Sequence, residues 1–204
     1  MKETIQSENT HLQIAYFILV HRLPNQFKRL FHAIYAPEHH YIIHIDKRSS
    51  PSFHEEITSF LSEFQNIHII KSEWVLWGGY SMVQAELSGM LFAVEKITSW
   101  DFFINLSGQD FPLRSQSYIS TFLWEHIDSN FIQIADQKIT RPETMNRIEN
   151  YFEESENWFI GAPYARNYME NIIPYIGGQW MILTRNCCEF LCTNPEVRQF
   201  EDYY

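Results

Sequence analysis

Between Gln13 and Val20 the chain reads QIAYFILV, an almost unbroken apolar run. A strand wet on one side alternates apolar and polar residues; a strand buried on both faces does not, so this run predicts an interior strand. Around Pro24, the residues Leu23, Phe27, Leu30 and Ile34 then recur at helical spacing. Tyr41 to Ile45 (YIIHI) predicts a second strand. Ser50-Pro51 opens a second helix, with Phe53, Ile57, Phe60 or Leu61, and Phe64 on one face, and proline suits its first turn. Ile67 to Ile70 predicts a third strand.

The segment WGGYSMVQAELSGMLFAV follows. Ser81 with Gln84 three residues on has the capping-box pattern, and Val83, Leu87, Met90, Leu91 and Val94 form an amphipathic stripe. Phe102 to Leu106 predicts a fourth strand, Tyr118 to His126 a helix, and Phe131 to Ile134 and Trp180 to Leu183 two short strands. Residues 137–175 are polar with weak periodicity and predict irregular structure or short helices, a substrate-facing insertion. Strands alternating with helices specify an α/β fold, a mostly parallel sheet covered by helices on both faces. In such open sheets ligands bind beyond the carboxyl ends of the strands. That rule selects His21, then Asp46, Lys47 and Arg48, then Trp74 to Gly79, then Ser107 to Asp110, and places all four clusters along one edge.

Composition narrows the picture. A length of 204 residues suits one well-buried domain. We expect that domain over residues 12–204, lacking its C-terminal part, with residues 1–11 as a polar N-terminal extension. Aromatics make up 16% of the chain, a surplus that serves mostly the core but also suits stacking on sugar or base rings. The formal net charge of −10 argues against a non-specific nucleic-acid binder while leaving room for a small anionic ligand. The three cysteines, Cys187, Cys188 and Cys192, are odd in number and clustered, a poor disulfide framework that fits a reducing compartment. No apolar run reaches the roughly 18 residues of a membrane span, and the N-terminus has no signal-peptide core. The expectation is a cytoplasmic location.

Each cluster has two readings. Asp46 can accept from a ribose or uracil while Lys47 or Arg48 faces phosphate, or it can pair with its own neighbours in a solvated turn. Trp77 with Gly78 and Gly79 before a helix start can offer a stacking ring and an anion-friendly N-terminus, or a turn around a core tryptophan. Asp110 in SGQD can serve as metal ligand, sugar-hydroxyl acceptor or general base, or it can cap the turn before Pro112. No Asp-x-Asp occurs in the chain, no histidine has metal-ligand spacing, and there is no GxGxxG, GK[ST] or GxSxG. No metal site is expected.

The stretches VHRLPNQFKRLFHAIYAPEHHYIIHIDKRSS, WVLWGGYSMVQAEL, WDFFINLSGQDFPLRS and GGQWMILTR, in this order and spacing, resemble the core-2/I-branching N-acetylglucosaminyltransferase and peptide O-xylosyltransferase family, glycosyltransferase family 14. The likeness runs from about residue 12 to the end and is closest to the xylosyltransferase branch. It implies a GT-A fold and inverting, metal-independent transfer of N-acetylglucosamine or xylose from a UDP-sugar to a hydroxyl of a glycan or protein. By position, Val20 would line the uridine site, Asp46 would bind the nucleoside with Arg48 nearby, and Trp77 would pack near the donor. Asp110 and the segment Gly178, Gln179 and Trp180 would border the sugar. His21, Gly78 and Ser107 complete the expected donor set, and Arg147 and Tyr151 are candidates on the acceptor side. Eukaryotic relatives are Golgi membrane-anchored. Xylosyltransferases carry an acidic residue where this chain has Gln179. The family's catalytic Glu lies in a Pro-x-Glu segment beyond a stretch resembling Asn194 to Tyr204, and Glu196, Glu201 and Asp202 do not match it. No catalytic base is therefore assigned. The alternative function is an inactive UDP-sugar- or carbohydrate-binding module.

Overall fold

The computed structural model describes residues 12–155, 159–167 and 172–203; the expected extension 1–11 lies outside them. The chain runs β1 (Ile14–Val20), α1 (Pro24–Ile34), β2 (His40–Ile45), α2 (Pro51–Leu61), β3 (Ile67–Ile69), α3 (Tyr80–Lys96), β4 (Phe102–Ser107) and α4 (Gln116–Glu125). Then come β5 (Ala135–Asp136), α5 (Gln137–Thr140), α6 (Asn146–Glu149), β6 (Asn150–Glu154), β7 (Phe159–Ala165), β8 (Tyr175–Ile176), β9 (Ile182–Thr184), α7 (Arg185–Thr193) and α8 (Pro195–Tyr203). Five strands form the main sheet in the order β3-β2-β1-β4-β9, the first four parallel and β9 antiparallel to β4. The α/β, mostly parallel expectation holds, and the arrangement is consistent with a GT-A-like fold.

The unbroken run in β1 is explained by its central place. Ile14, Tyr16, Ile18 and Val20 enter the core beneath α1, α2 and α4, while Ala15 and Phe17 enter the one beneath α3 and α7. Successive side chains point to opposite faces, so both sets must be apolar. The aromatics go largely to the first core, where Tyr16 stacks on Tyr41 at 5.6 Å and Phe31 meets Phe64 at 4.9 Å between ring centroids. Helix α2 starts as predicted, with Ser50 accepting from the Phe53 amide at 3.2 Å and Pro51 in the first turn.

Four local expectations are corrected. Gly79, not Ser81, is the N-cap of α3, and Ser81 hydrogen-bonds backwards to Leu76 rather than forming a box with Gln84. The stripe on α3 is also displaced. Its buried face carries Ser81, Ala85, Gly89, Met90 and Ala93, whereas Val83 and Leu91 are exposed. A ridge of small residues lets the helix sit close on the sheet, with Phe17 filling the space above Gly89. Strand β9 begins at Ile182 rather than Trp180, because the buried Asn105 amide takes over the backbone there: Asn105 Nδ2 donates to the Gln179 carbonyl at 2.9 Å and Oδ1 accepts from the Met181 amide at 2.8 Å. The expected strand from Phe131 to Ile134 reduces to one antiparallel bridge, Phe131 to Ile182, since β9 is only three residues long. Residues 137–175 do hold short helices, but also a β6–β7 hairpin that weak periodicity concealed. Among the described residues no helix is long and apolar enough to cross a membrane.

Candidate functional site

The parallel strands β2, β1 and β4 end side by side, and a cleft of about 280 Å³ opens beyond their carboxyl ends. Strand β1 contributes Val20, His21 and Arg22, β2 contributes His44, Asp46 and Arg48, and β4 contributes Ser107 and Gln109. Val75, Trp77 and Met82 form one wall, Gln179 and Trp180 another. Eight of the eleven predicted donor residues thus share one cleft: Val20, His21, Asp46, Arg48, Trp77, Ser107, Gln179 and Trp180. Gly78, Asp110 and Gly178 do not line it, nor do Arg147 and Tyr151. A larger groove of about 740 Å³ runs beside α3 between Trp74, Leu91 and Leu191. It contains none of the eleven predicted donor residues and shares only His44 with the cleft, so the smaller cavity is the candidate site.

Asp46 does pair with its neighbour, as the plainer of its two readings held. Arg48 donates to it three times, from its amide at 2.8 Å, Nε at 3.1 Å and Nη2 at 2.8 Å. The same guanidinium also donates to the Val75 carbonyl, tying the end of β2 to the following loop. Burial works to raise the Asp46 carboxyl, but the Arg48 hydrogen bonds, its charge and the Val75 amide outweigh it and hold the carboxyl below its ordinary value. The group is ionised at neutral pH, 5% exposed, and still borders the cleft. Asp46 therefore pairs with Arg48 and at the same time lines the cleft.

Trp77 is 83% exposed, which rejects the reading of a core tryptophan. The ring stands at the cleft wall, presenting a flat apolar face. Asp110 takes a structural position: its Oδ2 accepts from the Ser107 amide at 2.8 Å and from Trp180 Nε1 at 2.9 Å. It reaches the cleft through Trp180, which it orients. His21 has a lowered pKa, mainly from burial and then from Arg22, so it is neutral at physiological pH. Arg22 is held by the Gln109 side chain at 3.1 Å. The cleft thus offers two guanidinium groups, two indole rings, one carboxylate already oriented by its partner, and a neutral imidazole. That set can hold a flat, hydrogen-bonding and anionic molecule.

Residue-type reasoning missed Arg22, His44 and Asn105. Asn105 carried a signal, a lone amide in the apolar strand WDFFINL. His44 carried none, since alternation in HYIIHI does not tell a cleft histidine from a core one.

A family model for Core-2/I-Branching enzyme matches residues 14–204. The chain is 32% identical over 200 residues to xylosyltransferase 2 of Canis lupus familiaris, covering 95% of this chain and 23% of that protein. The values are the same for xylosyltransferase 2 of Homo sapiens. Identity is 31% over 202 residues to xylosyltransferase 1 of Rattus norvegicus, covering 95% of this chain and 24% of that protein. The chain spans less than a quarter of the length of these curated relatives.

Proposed function

The chain belongs to the core-2/I-branching enzyme family, glycosyltransferase family 14, and from that premise we propose that it binds a UDP-sugar in the strand-end cleft and serves transfer of its N-acetylglucosamine or xylose to a hydroxyl acceptor. One observation carries the reading. Val20, Asp46, Arg48, Trp77 and the Gln179–Trp180 segment, drawn from distant parts of the sequence, meet in a single cleft. In this arrangement the Asp46 carboxylate and the backbone at Val20 face the nucleoside, Trp77 flanks it, and Arg22 and Arg48 lie on the diphosphate side. Gln179 and Trp180 border the sugar. Guanidinium groups fit a diphosphate because their fork donates in pairs to phosphate oxygens.

The transfer is inverting and metal-independent in this proposal. The chain has no Asp-x-Asp, and one oxygen of Asp110 already accepts from Ser107 and Trp180. Positive charge for the leaving diphosphate would then come from side chains. Isothermal calorimetry with UDP tests the reading. We expect binding in the micromolar to millimolar range, weakened by Asp46→Ala and by Trp77→Ala. An unmoved affinity in both variants would sink it.

A second reading is favoured by one observation: Asp46 and Asp110 both accept hydrogen bonds from fixed partners, so neither is poised to take an acceptor proton. On that reading this region is a UDP-sugar- or carbohydrate-binding module. UDP binding without hydrolysis of any UDP-sugar would support it; release of free UDP from UDP-xylose or UDP-N-acetylglucosamine would exclude it.

A further inference from the structure

Trp77 is largely exposed, so little side-chain packing holds it at the cleft. Its place depends on the backbone of residues 75–81. On one side that loop is tied by Arg48, which reaches from Asp46 to the Val75 carbonyl. On the other side the loop runs into α3, whose N-cap Gly79 has no side chain to satisfy the free amides of the first turn. The missing cap comes from 73 residues away. Glu154, at the end of β6, accepts from the Ser81 amide at 2.6 Å with Oε1 and from the Ser81 hydroxyl at 3.0 Å with Oε2. The same hydroxyl accepts from the Leu76 amide at 2.8 Å, and the Gly79 amide donates to the Leu76 carbonyl at 3.0 Å.

Leu76 to Ser81 is therefore a closed loop locked by one carboxylate from the β6–β7 hairpin. The second glycine of the WGG triplet is explained by the same contact. A Cβ on Gly79 would overlap the Glu154 carboxylate, while its φ of −92° is open to any residue. Gly78, with φ +80°, is the one required by conformation.

We infer that Glu154 is a positioning residue for the donor cleft: by capping α3 it fixes the Trp77 loop, so donor affinity depends on the docking of the β6–β7 hairpin. The inference rests on the donor reading above. It also connects the polar insertion, expected on the acceptor side, to the donor wall.

The test combines UDP calorimetry with amide hydrogen exchange on the chain and on Gly79→Ala, Glu154→Ala, Glu154→Gln and the Gly79→Ala/Glu154→Ala double variant. Charge-assisted hydrogen bonds of this kind predict UDP binding about tenfold weaker in Glu154→Ala and in Gly79→Ala. Glutamine keeps an acceptor for the Ser81 amide and a donor for its hydroxyl, so Glu154→Gln should lose only about threefold. With the carboxylate gone, alanine at Gly79 no longer displaces it, and the double variant should bind no worse than Glu154→Ala. Additive losses in the double variant, or a Glu154→Ala affinity equal to that of the unmodified chain, would overturn the inference. If the unmodified chain binds no UDP, it is the donor reading that fails. The cap is then judged on exchange alone: Glu154→Ala should deprotect the Leu76 and Ser81 amides while β1 stays protected. Unchanged protection there would refute it.

Discussion

Replacing Arg48 by methionine should cost stability in a way that depends on pH. Methionine keeps the apolar stem of the side chain but removes the guanidinium donors to both Asp46 oxygens and to the Val75 carbonyl. Breaking a fully buried ion pair costs about 3–5 kcal/mol, whereas an exposed one is worth ~0–1 kcal/mol. Here the carboxylate side chain is 8% exposed and the arginine 35%, so the pair lies between these limits. A loss of about 2 kcal/mol near neutral pH follows from that intermediate position. With a urea m-value of about 2 kcal/mol/M, the unfolding midpoint should fall by ~1 M.

The sign with pH comes from Asp46. In the unmodified chain its folded pKa lies below the unfolded value of about 3.9, so its contribution is full above that value and is lost as pH falls through the folded pKa. Without Arg48, burial is the leading influence, and the folded pKa moves upward. The variant then carries a penalty at neutral pH that is relieved as pH falls. The stability gap should be widest near pH 7 and narrow steadily toward about pH 4. Urea unfolding followed by far-UV circular dichroism at several pH values measures it. A gap that stays constant over this range, or one below about 0.5 kcal/mol at pH 7, refutes the claim that Asp46 is held ionised by Arg48.

Gly89→Ala should destabilise the chain by about 1–3 kcal/mol, because the new Cβ overlaps the ring of the fully buried Phe17; thermal unfolding measures it. Trp180→Phe removes the Nε1 donor to Asp110 and should cost ~1 kcal/mol of stability together with a weaker UDP affinity; intact UDP binding would show that Trp180 only packs. Burial raises the Glu86 carboxyl to about 7, so the chain should lose stability as pH rises from about 4.5 through 7. Glu86→Gln should flatten that slope and gain ~2 kcal/mol near pH 7, as read by chemical denaturation across pH.

The sheet was legible because its strands sit where chemistry is least ambiguous. A run such as IAYFILV has only one low-energy place, between two layers of helices, and the strand-end rule then delivers the cleft without any contact being known. Helix α3 was misread for a physical reason. Stripe logic selects large apolar residues as the buried face, but this helix approaches the sheet on Ser81, Ala85, Gly89 and Ala93, and the volume between them comes from β1. Large residues such as Leu87 and Leu91 were left to line the wider groove instead. The hairpin was missed because NYFEE carries no strong alternation, and its strands pair with each other rather than with the main sheet.

The WGG segment marks where sequence reasoning reaches its limit. A glycine pair before a helix reads as an open anion site, since glycine admits a ligand and the helix start attracts negative charge. In the fold the negative charge is already there, delivered by Glu154 from a hairpin that no local pattern connects to α3. The two glycines then separate in role: Gly78 allows the backbone to turn, and Gly79 makes room for the carboxylate. A phosphate at this N-terminus would have to displace Glu154, which disfavours the first turn of α3 as the diphosphate subsite. In the proposed donor reading that charge falls to Arg22 and Arg48, which line the same cleft as Trp77.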